Sequence, residues 1–226
     1  MNHEFWRKDV FNLIIVGCAA FVVLTVIAML VYPGGTFSDP AKQGYSFFEN
    51  FFSELGFLRT HAGVPNTASL VLFVSAMFLA GSGMALFFLA LPKFYRRTRT
   101  GRILGLLGST FGILSALCFF GVAAFPADVN MAVHADFVIW AFRLFPAAVL
   151  CYAIVFFREK GFSYGYAWAL VVFLALLVGY LFLFELGPDF ESYSGMVIQA
   201  AGQKVIVYAS ILSVMVQAWG VRRNPN

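Results

Sequence analysis

The stretch FPADVNMAVHADFVIWAFRLFP, Phe125–Pro146, decides how the chain is read. Phe125-Pro126, Asp128 and Asn130 form a turn, and from there an apolar segment runs on carrying His134, Asp136, Trp140 and Arg143. Read as a membrane helix starting near Asn130, the segment places Arg143 roughly 20 Å in, at about 1.5 Å per residue. That is near the midplane of a bilayer whose hydrocarbon core is about 30 Å thick. A charge at that depth costs on the order of 2.5 to 3.5 kcal/mol, so it faces the bundle interior, a partner charge or water. Asp136 and Arg143 are seven residues apart and share a helix face, whereas His134 lies well round from Asp136. The helix therefore offers two polar faces, and the fold must supply what meets them.

Composition sets the frame. The 226 residues are 61% hydrophobic, 18% aromatic and 12% charged. Soluble domains are about 45 to 50% apolar and about 25% charged. This is the composition of a membrane protein. A net charge of +4 would suit nucleic acid only if it were clustered on one soluble face, and here it is scattered along the chain, so no nucleic-acid partner is expected. Cys18, Cys118 and Cys151 all lie inside apolar segments and match no metal spacing, so they read as small core residues. Ile15-Val16-Gly17-Cys18 resembles a lipoprotein cleavage box, but the apolar run continues to Tyr32. The stretch is expected to be an uncleaved first helix.

Six runs are long and apolar enough to span: 11–32, 67–92, 103–125, 131–157, 165–187 and 196–220. The expected fold is all-α, a single polytopic domain over 1–226. Arg7, Lys8, Lys93, Arg96, Arg97, Arg99, Arg102, Arg158, Lys160, Arg222 and Arg223 fall on one side of these runs. The opposite loops hold Asp39, Glu49, Glu54, Asp128, Asp189 and Glu191 against only Lys42 and Arg59. The positive-inside rule then places both termini in the cytoplasm and the protein in the cell membrane. The one long connection, 33–65, carries a Phe- and Leu-rich part from Tyr45 to Leu58 with Glu49, Asn50, Ser53 and Glu54 interspersed. It is expected to form a short interfacial helix, acting either as a cap on the bundle or as a headgroup clamp with Glu54, Arg59 and His61. Ala80-Gly81-Ser82-Gly83, and the spacings Gly101/Gly105 and Gly108/Gly112, predict close helix approach.

The candidate binding residues, Glu54, His61, Asp128, His134, Asp136, Arg143, Glu185, Gln203 and Lys204, belong to the outer half of this plan. Two readings of them stay open. In one, Arg143 and Lys204 pair with Asp136 and Glu185 and only fix helix register. In the other they are the cationic floor of an outward-opening polar pocket for a lipid or other amphiphile. His134 or His61 would serve as general base in a catalytic extension of that pocket, His134 being the stronger candidate. No Gly-x-Ser-x-Gly elbow and no His-Glu-x-x-His motif is present, so neither a metal nor another cofactor is expected. Transport is a third class, for which Pro146 is the only helix breaker.

Ser53-Glu54-Leu55-Gly56 followed by Pro65-Asn66, Phe125-Pro126 followed by His134, and Gln203-Lys204 in the last helix together resemble the prokaryotic membrane family known as domain of unknown function 998 (DUF998). The six-helix plan is more distantly similar to DRAM-like and GPI-lipid-remodelling membrane proteins. The closer resemblance implies the six-helix fold and no activity. The distant one implies a lipid as the molecule acted on.

Overall fold

A computed structural model describes residues 8–94, 98–158 and 163–223. Arg7, Arg96, Arg97 and Lys160 of the basic set, together with His3, lie outside the described residues. Six helices are long and apolar enough to cross a membrane: α1 Val10–Leu30, α2 Thr67–Ala90, α3 Arg99–Ala124, α4 Met131–Arg158, α5 Tyr164–Leu186 and α6 Tyr193–Arg223. Among the described residues there are no strands, only isolated bridges at Gly34/Gln43 and Arg59/Pro65. Each helix packs against its sequence neighbours, and α6 returns to α1, so the bundle closes as a ring. The 33–65 loop sits at one end, here called the loop end; Val10 and Arg223 lie at the other, the basic end.

The expected spans agree with the helices to within four residues. The largest difference is at α3, which starts at Arg99 because the Thr98 hydroxyl caps it, accepting the Gly101 N–H at 2.9 Å. α4 runs unbroken through Pro146. In the same helix the Ala141 carbonyl accepts the Ser115 hydroxyl of α3 at 2.8 Å, a bond that ties α3 to α4.

The glycines act as expected in part. A Cβ on Gly112 would stand 2.2 Å from the Phe88 ring, one on Gly121 2.2 Å from Phe137, and one on Gly108 2.9 Å from the Cys151 side chain. What they admit is side chains, above all aromatic rings, rather than a bare neighbouring backbone. Ring contacts continue inward, with Phe142 against Tyr180 at 4.9 Å and Phe145 against Phe173 at 5.3 Å. Leu13, Val16, Val23 and Leu30 of α1 point outward, as a surface for lipid chains requires.

The expected interfacial helix is a single 3-10 turn, Phe52–Gly56, and it is buried. Phe52, Glu54 and Leu55 are at most 3% exposed. Phe52 packs on Phe21 of α1, Phe73 of α2 and Tyr208 of α6, so the turn closes the ring from within. Of the two readings of the loop, the cap describes its position.

Candidate functional site

The loop end is built around Asn50. Its amide nitrogen donates to the Gly35 carbonyl at 2.8 Å and to Glu54 Oε2 at 2.5 Å, while its oxygen accepts the Ser46 N–H at 2.8 Å. Gly35 has φ +89°, and a Cβ there would stand 2.6 Å from the Ala62 nitrogen, so only glycine brings the two loop strands this close. Glu54 also accepts the Phe51 N–H at 3.0 Å, capping the 3-10 turn. From α6, Lys204 reaches up into the plug. Its ammonium donates to the Asn50 carbonyl and, at 3.0 Å, to Ala200, and lies 5.3 Å from the Phe47 ring centroid and 5.5 Å from that of Tyr45. Lys204 is fully buried and Glu54 is 2% exposed, so a buried cation and a buried anion are joined through one asparagine. Burial, with Glu54 nearby as the second cause, raises the Tyr45 phenol well above its ordinary value, so it stays protonated.

Other candidate residues tie the plug to the helices. Gln203 accepts the Phe52 N–H through Oε1 at 2.7 Å, and Asp128 accepts the Leu58 and Arg59 N–H groups at 2.8 and 3.0 Å. His61 brings Nε2 to 3.5 Å from Glu54 Oε1, between the rings of Phe37 and Phe57. Arg59 does not face Glu54 in this structure; its guanidinium donates to the Gly63 carbonyl at 3.0 Å.

The structure brings Glu54, His61, Gln203 and Lys204 together and keeps the rest apart. Arg143 pairs with Glu185 across the α4–α5 seam at 2.7 Å, with side chains 47% and 44% exposed. Of the two carboxylates considered as partners for Arg143 and Lys204, Glu185 is thus used, while Asp136 is exposed and makes no hydrogen bond or ion pair among the described residues. His134, 4% exposed, directs Nδ1 to the Phe125 carbonyl at 2.8 Å and closes the end of α3, while its Nε2 is buried without a partner. Arg143 and Lys204 therefore do not form a common cationic floor. Among the described residues no group of three or more His, Cys, Asp or Glu side chains could hold a metal.

Open space lies elsewhere. Beneath the plug is a cavity of about 70 Å³ between α1, α2, α3, α4 and α6, with Phe52 and Ser53 as its roof. Cys18, Phe73, Met77, Met84, Phe142 and Val214 are typical of its lining, and Gln203 is the only candidate site residue that reaches it. From Gln203 to Val214 along α6 it extends for roughly 16 Å at 1.5 Å per residue. Gly83 lines it too, and a Cβ there would meet nothing within 4 Å. This glycine is thus a gap in the packing and not a point of close approach. A second, smaller cavity near Phe88, Phe156 and Gln217 lies toward the basic end.

Sequence reasoning missed Asn50 as the hub and missed the cavity altogether. Asn50 stands four residues before Glu54, and that spacing was available; the cavity left no sequence signal beyond the small residues Ala80 and Gly83. Comparison with protein-family models, with curated proteins and with solved structures yields no match to this chain.

Proposed function

We propose that the chain is a multi-pass protein of the cell membrane, termini in the cytoplasm, that holds the hydrocarbon portion of a lipid or other amphiphile in the central cavity. The observation that carries the reading is the cavity itself, an elongated apolar space inside a closed ring. Protein interiors pack to crystal density, and apolar voids stay dry and accept apolar guests. The orientation is supported by Lys8, Lys93, Arg99, Arg102, Arg158, Arg222 and Arg223, which gather at the basic end. The plug then faces outward. Family membership rests on the sequence resemblance alone.

No reaction belongs to the proposal, because His61 and His134 line neither cavity. The buried hydrogen-bond network that joins Asn50, Glu54 and Lys204 favours a second reading for those residues, as a structural lock in a non-catalytic scaffold. The two readings meet in one experiment: native mass spectrometry of the gently solubilised chain beside Gly83→Leu, whose side chain grows into the cavity. Wild type is expected to retain a defined lipid and the variant to lose it at an unchanged melting temperature. Equal retention, or none in either protein, leaves the scaffold.

A further inference from the structure

Three polar side chains interrupt the apolar lining of the central cavity: Ser53, Gln203 and Ser210. Their bonding differs. Ser210 donates its hydroxyl to the Ile206 carbonyl at 2.7 Å, which satisfies it within its own helix. Gln203 Oε1 accepts the Phe52 N–H, and because a backbone N–H can only donate, that contact fixes which way the amide points. The two N–H bonds of Gln203 Nε2 are then directed away from Phe52. Neither Gln203 Nε2 nor Ser53 Oγ has a hydrogen-bond partner among the described residues, and neither is among the fully enclosed polar atoms that lack one. Two residues of the chamber's upper lining thus carry donors that no protein group takes.

Charge narrows the ligand further. Among the described residues no Asp, Glu, Lys, Arg or His lines the cavity, and Lys204, next to Gln203 in sequence, is held in the plug by Asn50 and Ala200. A carboxylate or phosphate would enter without a counter-ion, at a cost of several kcal/mol. Width narrows it too. About 70 Å³ drawn out over roughly 16 Å is a long, thin space, which suits one extended chain and not two side by side.

Resting on the reading that the cavity holds a hydrocarbon, we propose that its ligand is a single acyl chain ending in an uncharged carbonyl, an ester or amide, held by Gln203 Nε2 and Ser53 Oγ. The methylenes run from there along α6 toward Val214. The carbonyl supplies the acceptor that both donors lack, and the roof at Phe52 and Ser53 limits how far it rises.

The test is equilibrium binding of two uncharged tritiated probes of equal chain length, hexadecane and methyl palmitate, to the solubilised full chain. The quantity read is the ester-to-alkane affinity ratio, compared between wild type and variants so that partition into detergent cancels. Gln203→Met removes both Nε2 donors without adding a charge; it also frees the Phe52 N–H, so its melting temperature is read beside that of the wild type. Ser53→Ala removes a hydroxyl that makes no bond in this structure, so its folding is not at risk from a lost contact. The ratio is expected to fall about fivefold in Gln203→Met and in Ser53→Ala, one hydrogen bond being worth roughly 1 kcal/mol, with alkane affinity unchanged. Ratios unmoved by either variant, while Gly83→Leu abolishes both probes, overturn the carbonyl assignment and leave chain binding standing. Failure of wild type to bind either probe overturns both.

Discussion

The loop end and the mid-bundle cavity treat polar groups in opposite ways. At the loop end Lys204, Glu54 and Asn50 are all buried, and each has hydrogen-bond partners on the plug or its own helix. Around the cavity, next to these residues in sequence, Gln203 and Ser53 join a lining that is otherwise mostly apolar, and Gln203 Nε2 and Ser53 Oγ have no hydrogen-bond partner among the described residues. A charge removed from water must be satisfied by its own fold, which makes it a lock. Space for another molecule survives where packing is incomplete, and the chemistry left open there is weak and neutral. The most conspicuous residues of a membrane chain are therefore poor guides to its ligand site.

The contrast breaks most visibly at Lys204. Lys204→Ala removes the buried cation that Asn50 links to Glu54, leaving His61 as the one cationic side chain beside that carboxylate and the Asn50 carbonyl without its donor, which is expected to destabilise the protein by about 3 to 5 kcal/mol. Adding Glu54→Gln to that variant should recover part of the loss, since the carboxylate charge is then gone. Unfolding titrations of the three proteins in one detergent check this. A single-variant loss below about 1 kcal/mol would mean that the plug is not a lock and that Lys204 is available to a ligand.

Two glycines sharpen the same comparison within the apolar layer. Gly112→Ala drives a Cβ to within 2.2 Å of the Phe88 ring and is expected to cost about 1 to 3 kcal/mol. Gly83→Ala meets nothing within 4 Å and should be neutral, or gain up to about 1 kcal/mol from helix propensity. Melting temperatures of the pair moving together would show that the gap at Gly83 closes in solution.

A smaller effect separates the plug's rim from its core. Glu49 accepts hydrogen bonds from Lys42 and, at 2.9 Å, from Tyr193, linking the long loop to the start of α6. The Lys42 bond, ahead of the Tyr193 bond, holds the Glu49 carboxyl below its ordinary value. A depressed carboxyl stabilises the fold above its unfolded pKa, and the contribution is lost as pH falls through the folded value. Wild type should therefore lose stability below about pH 4.5, the ordinary carboxyl value. In Glu49→Gln that acid-side slope should be shallower, with little difference at neutral pH. Thermal melts across pH 3 to 7 decide it, and identical slopes would assign the acid response to the buried core.

Helix number, helix bounds and the basic end were legible because continuous apolar length and charge placement are local signals, readable without knowing any contact. Glu54, Gln203 and Lys204 were legible as a group because burying them demands partners. Their arrangement was not: that Lys204 would meet a backbone carbonyl of Asn50, and Arg143 the carboxylate of Glu185, depends on how three helices and the long loop meet. The cavity was the least legible feature. It is an absence of side-chain volume between five helices, and only the assembled ring defines it.

Arg143 marks the other end of the scale. Its Cα lies twelve residues from the start of α4 and fifteen from its end, the depth at which a charge was expected to face the bundle interior, a partner charge or water. The guanidinium reaches along the perimeter to a partner charge, Glu185 at the loop end of α5, and both side chains stay nearly half exposed. Long basic side chains carry their charge toward the interface in this way while the stem covers apolar surface. Arg143→Ala loses an exposed ion pair worth about 0 to 1 kcal/mol and also removes a charge that the bilayer disfavours, so the two effects oppose each other. The expected change in stability is therefore under about 1 kcal/mol, several-fold smaller than for Lys204→Ala, and probe binding in the cavity should be unaffected. A loss equal to that of Lys204→Ala, read in the same titration, would show that the α4–α5 perimeter is covered by another molecule and that exposure in the isolated chain misjudges it.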